Sequence, residues 1–198
     1  MQSAEIELKF TVPDQAVLEA QLPSLGFQLQ TPRTHERNVL YDTPARSLRE
    51  RHQLLRLRTY GDECILTHKR QPANVDDSLY KTRIETETRV EECSALATIF
   101  AELGYSPVFT YEKFRTEWRF PLGSAAAHLV IDETPIGTWA ELEGPVEWID
   151  ETLARLQIDR DRCTTESYGK LFLNWKTRSG SPAENLVFDE IHTEAAVR

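Results

Sequence analysis

The chain has 198 residues, of which 40% are apolar, 28% charged and 9% aromatic, a composition typical of one globular domain that buries a sizeable core. Its 32 acidic and 23 basic side chains give a net charge of −9, which disfavours general binding to the phosphate backbone of nucleic acids. No uncharged run approaches the roughly 20 apolar residues of a membrane-spanning helix, and the first residues do not resemble a secretory signal. We therefore expect a cytoplasmic protein with no nucleic-acid and no membrane partner.

Strands dominate the predicted elements. Residues 3–12 alternate between polar and apolar side chains and predict a strand, and Pro13 and Asp14 then begin a helix that ends near Gly26. The remaining predictions are extended segments over 27–31 and 35–42, a hairpin over 53–60 and 63–70, a loop over 71–78, a strand over 80–90, a helix over 92–103, strands over 108–120, 126–133 and 138–144, and helices over 146–156 and 165–176.

The end of the chain and the cysteines carry weaker signals. Residues 179–198 show little periodicity, so we expect a disordered or loosely docked tail after a single domain over 1–178. Cys64, Cys93 and Cys163 are few and far apart, which favours three reduced thiols over a zinc site or a disulfide framework. None of the five histidines pairs at a metal-ligand spacing, so structural or solvent-exposed roles are expected for them.

Charged side chains recur at every second position of most predicted strands, as in Glu5-x-Glu7-x-Lys9. Residues two apart on a strand share a face, so these charges gather on one side of a sheet. A solvated face would mix them with Thr, Ser and Gln, whereas here like charges neighbour each other at a repulsive cost. The acidic members are Glu5, Glu7, Glu85, Glu87, Asp132, Glu141 and Glu143. The basic members are Lys9, Arg56, Arg58, Lys69, Lys81, Arg83, Lys113 and Arg115.

This set of charges indicates a ligand that carries both signs. Paired carboxylates suit hard divalent cations such as Mg²⁺ or Mn²⁺, and paired Arg and Lys side chains suit phosphate oxygens. A complex of a metal with a polyphosphate needs both. Enough such strands could close into a barrel with a charged interior and an apolar outside under the helices.

The same residues resemble, in order, the motifs of the CYTH superfamily, also called triphosphate tunnel metalloenzymes. Glu5-Ile6-Glu7-Leu8-Lys9 is similar to the family's Glu-x-Glu-x-Lys signature. The further similarities are Tyr41-Asp42-Thr43-Pro44 with its Tyr-Asp-Thr-Pro turn, Leu55-Arg56-Leu57-Arg58 with its Leu-Arg-x-Arg strand, Thr67-His68-Lys69 with its lysine strand, Lys81-Thr82-Arg83-Ile84-Glu85-Thr86-Glu87 with its Lys-x-Arg-x-Glu-x-Glu strand, Lys113-Phe114-Arg115 with its Lys-x-Arg strand, Asp132 and Glu141-Leu142-Glu143 with its closing segment, and Ser167-Tyr168 with its late helix.

The resemblance covers roughly residues 4–175 and implies an α+β fold, an eight-stranded antiparallel β-barrel with helices packed outside. It implies that the basic side chains bind a triphosphate and that the acidic ones bind one or two Mg²⁺ or Mn²⁺ ions. Lys69, Glu5 and Glu7 are the expected catalytic residues, with Lys69 or a tunnel carboxylate accepting the proton of an attacking water. One departure is Leu40, which stands where the thiamine triphosphatase branch has a tyrosine that assists a lysine, and this argues against that branch's mechanism.

We expect a metal-dependent phosphohydrolase whose partner is a small-molecule triphosphate, either inorganic or organic. A class IV adenylate cyclase, which converts ATP to cyclic AMP and pyrophosphate, is the first alternative. The second is a non-catalytic module that binds polyphosphate or nucleoside triphosphates, but such a module would need only the bases and not the full set of carboxylates. A β domain with an ordinary charged surface is the third. The sequence leaves the oligomeric state open, as either a monomer or a homodimer.

Overall fold

The computed structural model describes residues 2–72, 80–122 and 125–195. Its strands are β1 (Gln2–Thr11), β2 (Gln28–Asp42), β3 (Gln53–Tyr60), β4 (Glu63–Arg70), β5 (Lys81–Val90), β6 (Ser106–Leu122), β7 (Ala125–Thr134), β8 (Gly137–Glu143) and β9 (Cys163–Thr164). Eight of them form an antiparallel barrel in the order β5-β4-β3-β2-β6-β7-β8-β1, and β1 closes the ring by pairing with β5. The short strand β9 pairs with the end of β1. The expected eight-stranded barrel is therefore confirmed.

The helices lie between and after the strands. They are α1 (Gln15–Gln21), α2 (Ser47–Glu50), α3 (Cys93–Glu102), α4 (Val146–Arg155), α5 (Tyr168–Ser179) and α6 (Phe188–Ala195), with 3₁₀ turns at Leu22–Leu25 and Arg160–Arg162. Asp14 caps α1 by accepting a hydrogen bond from the backbone N–H of Val17, and Ser167 caps α5 in the same way. None of the described helices has the length and the apolar character needed to cross a membrane.

Strand β2 differs from its prediction. The extended segments predicted over 27–31 and 35–42 form one strand of 15 residues. Irregular register against β6 between Leu29 and Thr34 lets the strand pass Pro32 without a break. The loop predicted over 71–78 lies, beyond residue 72, outside the described residues.

The barrel has an apolar exterior and a charged interior. Leu8 and Phe10 of β1 point outward and are buried with Leu18 of α1 and with Ile149 and Leu153 of α4. The side chains between them, at Glu7 and Lys9, point inward because successive residues of a strand face opposite sides. The alternation of polar and apolar residues in β1 therefore places charged side chains inside the barrel, as predicted. The hydrophobic core lies between the barrel and the helices.

Helix α3 covers β3, β4 and β5 through a separate apolar cluster that includes Leu57 and Phe100. In this cluster Cys64 and Cys93 form a disulfide, with their Cα atoms 5.7 Å apart. The expectation of three reduced thiols is wrong for this pair, because α3 folds back over the barrel and brings together residues that are 29 positions apart in sequence. Cys163 is free.

The residues after α5 dock on the barrel. Ala183, Leu186, Val187 and Ile191 are buried, and Leu186 is fully inaccessible to solvent. Leu186 forms a parallel β-bridge with Tyr111 of β6. The division into a domain over 1–178 and a tail over 179–198 stays a prediction, but residues 183–191 of this tail dock on the barrel through these buried apolar side chains.

Candidate functional site

The barrel encloses a cavity of about 890 Å³. All the predicted site residues line its wall except Asp132, which is fully buried behind Lys113 and Arg115. The strands deliver these side chains at alternating positions, so the charged faces of β1, β3, β4, β5, β6 and β8 converge on one space. The structure therefore brings the predicted set together in a single tunnel.

Three carboxylates in this tunnel stand close enough to share one cation. Oxygen atoms of Glu5, Glu7 and Glu143 all lie within 4.8 Å of one another. In the described part of the chain, no other group of three His, Cys, Asp or Glu side chains is clustered in this way. Glu7 and Glu143 face each other because β1 and β8 pair in antiparallel register. We call these three residues the acidic cluster.

The electrostatics of the acidic cluster fit a divalent metal ion. Burial raises the pKa of Glu143 well above its usual value, and the charges of Glu5, Glu141 and Glu7 raise it further against the opposing effect of Arg115. Burial and a hydrogen bond with Glu85 likewise raise the pKa of Glu5. Crowded carboxylates that repel one another are stabilised by a bound cation, and oxygen ligands are those that Mg²⁺ and Mn²⁺ prefer. The residues present thus fit the metal that the resemblance implies.

The other predicted acidic residues hold cations of the protein itself. Asp132 accepts two hydrogen bonds from Arg115, both 2.7 Å long, and one of 2.9 Å from Lys113. Glu141 accepts from Arg115 over 2.8 Å and also pairs with Lys9. Burial opposes ionisation of Glu141, but the charges of Lys9 and Arg115 outweigh it and hold its pKa well below the usual range. Asp132 and Glu141 therefore organise the basic wall in this structure.

Across the tunnel, β3, β4 and β5 supply a second group of paired charges. Arg56 donates to Thr67 over 3.1 Å and to Glu87 over 3.3 Å, and Arg58 also donates to Glu87 over 3.3 Å. Lys69 lies between two carboxylates, pairing with Glu85 and approaching Glu5 at 3.3 Å. Because the basic side chains are held by acidic neighbours, they are oriented before any anion arrives.

The remaining two basic residues lie on β5 next to β1. Lys81 pairs with Glu7 of the acidic cluster. Arg83 donates to the carbonyl oxygen of Thr82 over 3.0 Å and lies opposite Glu5 in the β1–β5 register. Both line the cavity beside the acidic cluster.

Glu36 of β2 is a site residue that the sequence did not reveal. It is fully buried, 3.3 Å from Lys113 and 3.7 Å from Arg58. Burial opposes its ionisation, but Lys113, Arg115 and Arg58 together hold its pKa well below the usual range. Its strand has no run of alternating charges, since Asn38 and Leu40 occupy the next two positions on the same face, and so no pattern singled it out.

Tyr111 and Tyr168 contact basic residues or their partners in the tunnel, whereas position 40 supplies no phenol. Leu40 pairs in register with Arg56 on β3 and with Phe109 on β6, so it presents an apolar side chain to the tunnel. Tyr111, two residues further along β6, accepts a hydrogen bond of 3.3 Å from Arg56. The phenol that contacts Arg56 therefore comes from β6 and not from position 40.

The second tyrosine, Tyr168, stands at the start of α5. Its hydroxyl donates to Asp132 over 2.6 Å, and its ring lies 4.5 Å from the ammonium of Lys9 and 5.0 Å from that of Lys113. The sequence placed Tyr168 only in a late helix of the family. In the structure it links α5 to the basic wall.

Two histidines lie at the cavity, and the structural or solvent-exposed roles expected for them stay a prediction. His52 and His128 both line the cavity. His128 lies opposite Glu143 in the β7–β8 register, and burial lowers its pKa. The side chain of His192 lies outside the described part of the structure.

Comparisons with known proteins agree with this architecture. Residues 3–170 match the model of the CYTH domain family. A protein of Methanocaldococcus jannaschii, provisionally named an adenylate cyclase, is 27% identical over 177 residues, covering 84% of this chain and 97% of that protein.

Two solved structures show a similar fold. A Vibrio parahaemolyticus protein, provisionally called an adenylate cyclase, superposes with a TM-score of 0.71 at 18% identity, covering 85% of this chain and 97% of that one. A Hippeastrum protein, provisionally called an adenylyl cyclase and described as having a dominant triphosphatase activity, gives a TM-score of 0.62 at 17% identity, covering 88% and 96%.

Proposed function

This chain belongs to the CYTH domain family, and we propose that it is a metal-dependent phosphohydrolase that acts on inorganic triphosphate or a small organic triphosphate. The observation that carries the proposal is the arrangement of charge in one cavity, where the acidic cluster lies among Arg and Lys side chains. A complex of a metal with a triphosphate needs both kinds of group at once. The activity described for the Hippeastrum protein is of the same class.

Glu5, Glu7 and Glu143 would hold the metal. A bound Mg²⁺ or Mn²⁺ neutralises charge on the phosphoryl group that is transferred and orients the reacting oxygens. The assignment is supported by the mutual distances of these three carboxylates and by the raised pKa values of Glu5 and Glu143. Asp132, Glu85, Glu87 and Glu141, which lie outside this group of mutually close carboxylates, would orient the Lys, Arg and Thr side chains that they contact.

The basic side chains would bind the triphosphate. They are Lys9, Arg56, Arg58, Lys69, Lys81, Arg83, Lys113 and Arg115. Arg115 and Lys113 are almost fully buried, so water screens their charge little, and attraction to phosphate oxygens is stronger than on a surface. Their partners Asp132 and Glu36 fix their positions, which reduces the reorganisation needed when the anion binds.

Lys69 fits the role of a proton donor better than that of a base. Burial and the charge of Arg56 oppose its protonation, but Glu5 and Glu85 outweigh them and raise its pKa. The ammonium therefore stays protonated at neutral pH and can donate hydrogen bonds to a phosphate oxygen or to the leaving group. A carboxylate of the tunnel is then the group that accepts the proton of the attacking water.

A class IV adenylate cyclase is the second candidate. It is favoured by the name given to the Methanocaldococcus jannaschii protein and by an apolar part of the cavity wall, formed by Leu40, Val108, Phe109 and Phe172. Such a wall could hold a nucleoside beside the charged tunnel. Cyclisation differs from hydrolysis in its nucleophile, since a ribose hydroxyl attacks the α-phosphorus in place of water.

One set of reactions separates these functions. The native protein is incubated with inorganic triphosphate, ATP or thiamine triphosphate under Mg²⁺ or Mn²⁺, and the products are separated. We expect phosphate release that stops when the metal is chelated. Pyrophosphate with cyclic AMP as the main products would replace the proposal by the cyclase, and tight binding of triphosphate without turnover would replace it by a binding module.

A further inference from the structure

The edge of β6 is incompletely covered by the barrel itself. Strand β7 pairs with β6 only from Phe114 onward, because the β7–β8 hairpin turns just after Thr134. The first part of β6 thus pairs with β2 on one side and lacks a barrel strand on the other. Residues 181–191, which we call the C-terminal segment, occupy that side.

Hydrogen bonds attach the C-terminal segment to this edge. The N–H of Leu186 donates to the carbonyl of Thr110 over 3.0 Å, and the N–H of Glu112 donates to the carbonyl of Leu186 over 2.9 Å. The N–H of Thr110 donates to the side chain of Asn185 over 2.9 Å. These bonds satisfy backbone groups of β6 that β7 leaves unpaired, so the segment completes the wall of the tunnel at this level.

Hydrogen bonds within the C-terminal segment also stabilise its conformation. The carboxylate of Glu190 accepts hydrogen bonds from the N–H groups of Glu184 and Asn185, over 2.9 and 2.8 Å, and from the side-chain amide of Asn185 over 2.9 Å. Asn185 is thereby fixed with its side-chain oxygen aimed at Thr110. The segment accordingly presents a preformed surface to β6.

Leu186 connects this segment to the tunnel. It is fully buried in an apolar cluster with Tyr111, Tyr168 and Phe172, all of which line the cavity. The hydroxyl of Tyr111 is the acceptor for Arg56, and that of Tyr168 is the donor to Asp132. Both aromatic side chains that contact the anion-binding residues therefore belong to the same apolar cluster as Leu186, and Tyr111 is its partner in the β-bridge.

We propose that the C-terminal segment is a positioning element for triphosphate binding, in which Leu186 holds Tyr111 in place and Tyr111 in turn orients Arg56. The inference rests on the proposed function, since it concerns the affinity of the same tunnel. The segment lies beyond residue 170, where the match to the family model ends.

The test compares two leucine truncations of similar burial. Leu186→Ala removes the contact with Tyr111, and Leu153→Ala removes a side chain of the cluster outside the barrel, where Leu153 is 3% exposed. Both variants should lose thermal stability. We expect Leu186→Ala to raise both the KM and the calorimetric Kd for inorganic triphosphate in the presence of Mg²⁺ by about fivefold to tenfold, which lies within the range for one ordinary hydrogen bond. Leu153→Ala should leave both constants unchanged.

A second background tests the route through Tyr111. In Tyr111→Phe, which lacks the hydroxyl that Arg56 contacts, Leu186→Ala should have little further effect on KM, because the two changes remove the same interaction. Equal effects in both backgrounds would overturn this route. If Leu186→Ala does not fold, Asn185→Ala keeps the packing and should raise KM about twofold to threefold through the lost bond to Thr110.

The outcomes separate the inference from the proposed function. If the native protein binds or hydrolyses triphosphate and the Leu186 and Asn185 variants keep native KM and Kd values, only the role of the C-terminal segment is refuted. If the native protein neither binds nor hydrolyses triphosphate, the proposed function is refuted, and the inference is refuted with it.

Discussion

Glu7 of β1 and Glu143 of β8 lie directly opposite each other in an antiparallel pair, and both face the tunnel. Like charges in this position repel, so the pair lowers the stability of the ligand-free fold. Lys81 forms a salt bridge with Glu7 and so offsets its negative charge. Glu143, in contrast, is surrounded mainly by other carboxylates, among them Glu5 and Glu141. The arrangement is therefore explained by a ligand that brings positive charge between the two strands.

Replacing Glu143 by Gln tests the metal site. The variant keeps the shape of the side chain and removes one of three clustered carboxylates. We expect Mg²⁺-dependent turnover of triphosphate to fall by more than about 100-fold, beyond the usual effect of a residue outside the ligand set. Without metal, the Tm should be unchanged or slightly raised, because a repulsive charge has been removed.

Glu147→Gln is the matched control for this change, since Glu147 is an exposed acidic residue in the first turn of α4. Its turnover and its Mg²⁺ dependence should equal those of the native protein. Retention of full Mg²⁺-dependent activity in Glu143→Gln would remove Glu143 from the metal site.

Arg56→Ala tests the basic wall. Arg56 is buried and bonded to Thr67, Glu87 and Tyr111, so its guanidinium is held toward the cavity. Its loss should weaken the binding of inorganic triphosphate by about 10-fold to 100-fold, as expected for a charged hydrogen-bonding group, with a smaller change in kcat.

Arg37→Ala serves as the comparison for this variant, because Arg37 lies on the neighbouring strand β2 with a side chain 49% exposed and paired with Glu112. Calorimetry should show native affinity for this variant. Equal affinity of the Arg56 and Arg37 variants would show that Arg56 does not contact the anion.

Asp42 makes stability depend on pH. Burial raises the pKa of Asp42, but hydrogen bonds from the N–H groups of Leu48, Arg49 and Thr43 outweigh it, and the net shift is downward. A carboxyl with a lowered pKa in the folded state contributes stability that is present above its unfolded pKa, near 3.9, and is lost as the pH falls through the folded value.

Asp42→Asn should therefore lower the free energy of unfolding by about 1 kcal/mol at pH 7, a typical value for a helix-capping side chain. The difference between the variant and the native protein should shrink in urea unfolding curves measured below about pH 4. Asp62→Asn, in the exposed β3–β4 turn, should change neither value. A difference that stays constant from pH 7 to pH 3 contradicts the role of the ionised carboxylate.

Alternation allowed much of the fold and most of the site to be predicted from sequence. The charged face of β1 is visible in the sequence as Glu5, Glu7 and Lys9, and six of the eight barrel strands have such a face. Glu36 was not predicted as a site residue because a single charge on one face of a strand forms no alternating pattern. Its importance depends on Lys113 from the neighbouring strand, which only the register of β2 and β6 reveals.

The docking of the C-terminal segment could not be predicted from the sequence for a related reason. It depends on the place where β7 stops pairing with β6, and neither strand's own sequence records that place. The pairing of Cys64 with Cys93 likewise depends on how α3 packs over β4. Such features follow from contacts between elements, and the local patterns of a single sequence do not contain them.

The Cys64–Cys93 disulfide predicts a difference in stability between the oxidised and the reduced chain. The bond joins the start of β4 to the first residue of α3 and closes a loop across 29 positions. Such a loop restricts the unfolded chain, so reduction should lower the free energy of unfolding by about 3 kcal/mol. Guanidinium unfolding with and without a thiol reductant measures this difference, and Cys93→Ser should reproduce the reduced value under both conditions.

Cys163→Ser should behave as the native protein does, because Cys163 is free. The tunnel residues lie on strands held by their own ladders, so turnover at low temperature should survive reduction. If the native protein shows the same stability with and without reductant, the bond does not stabilise the fold.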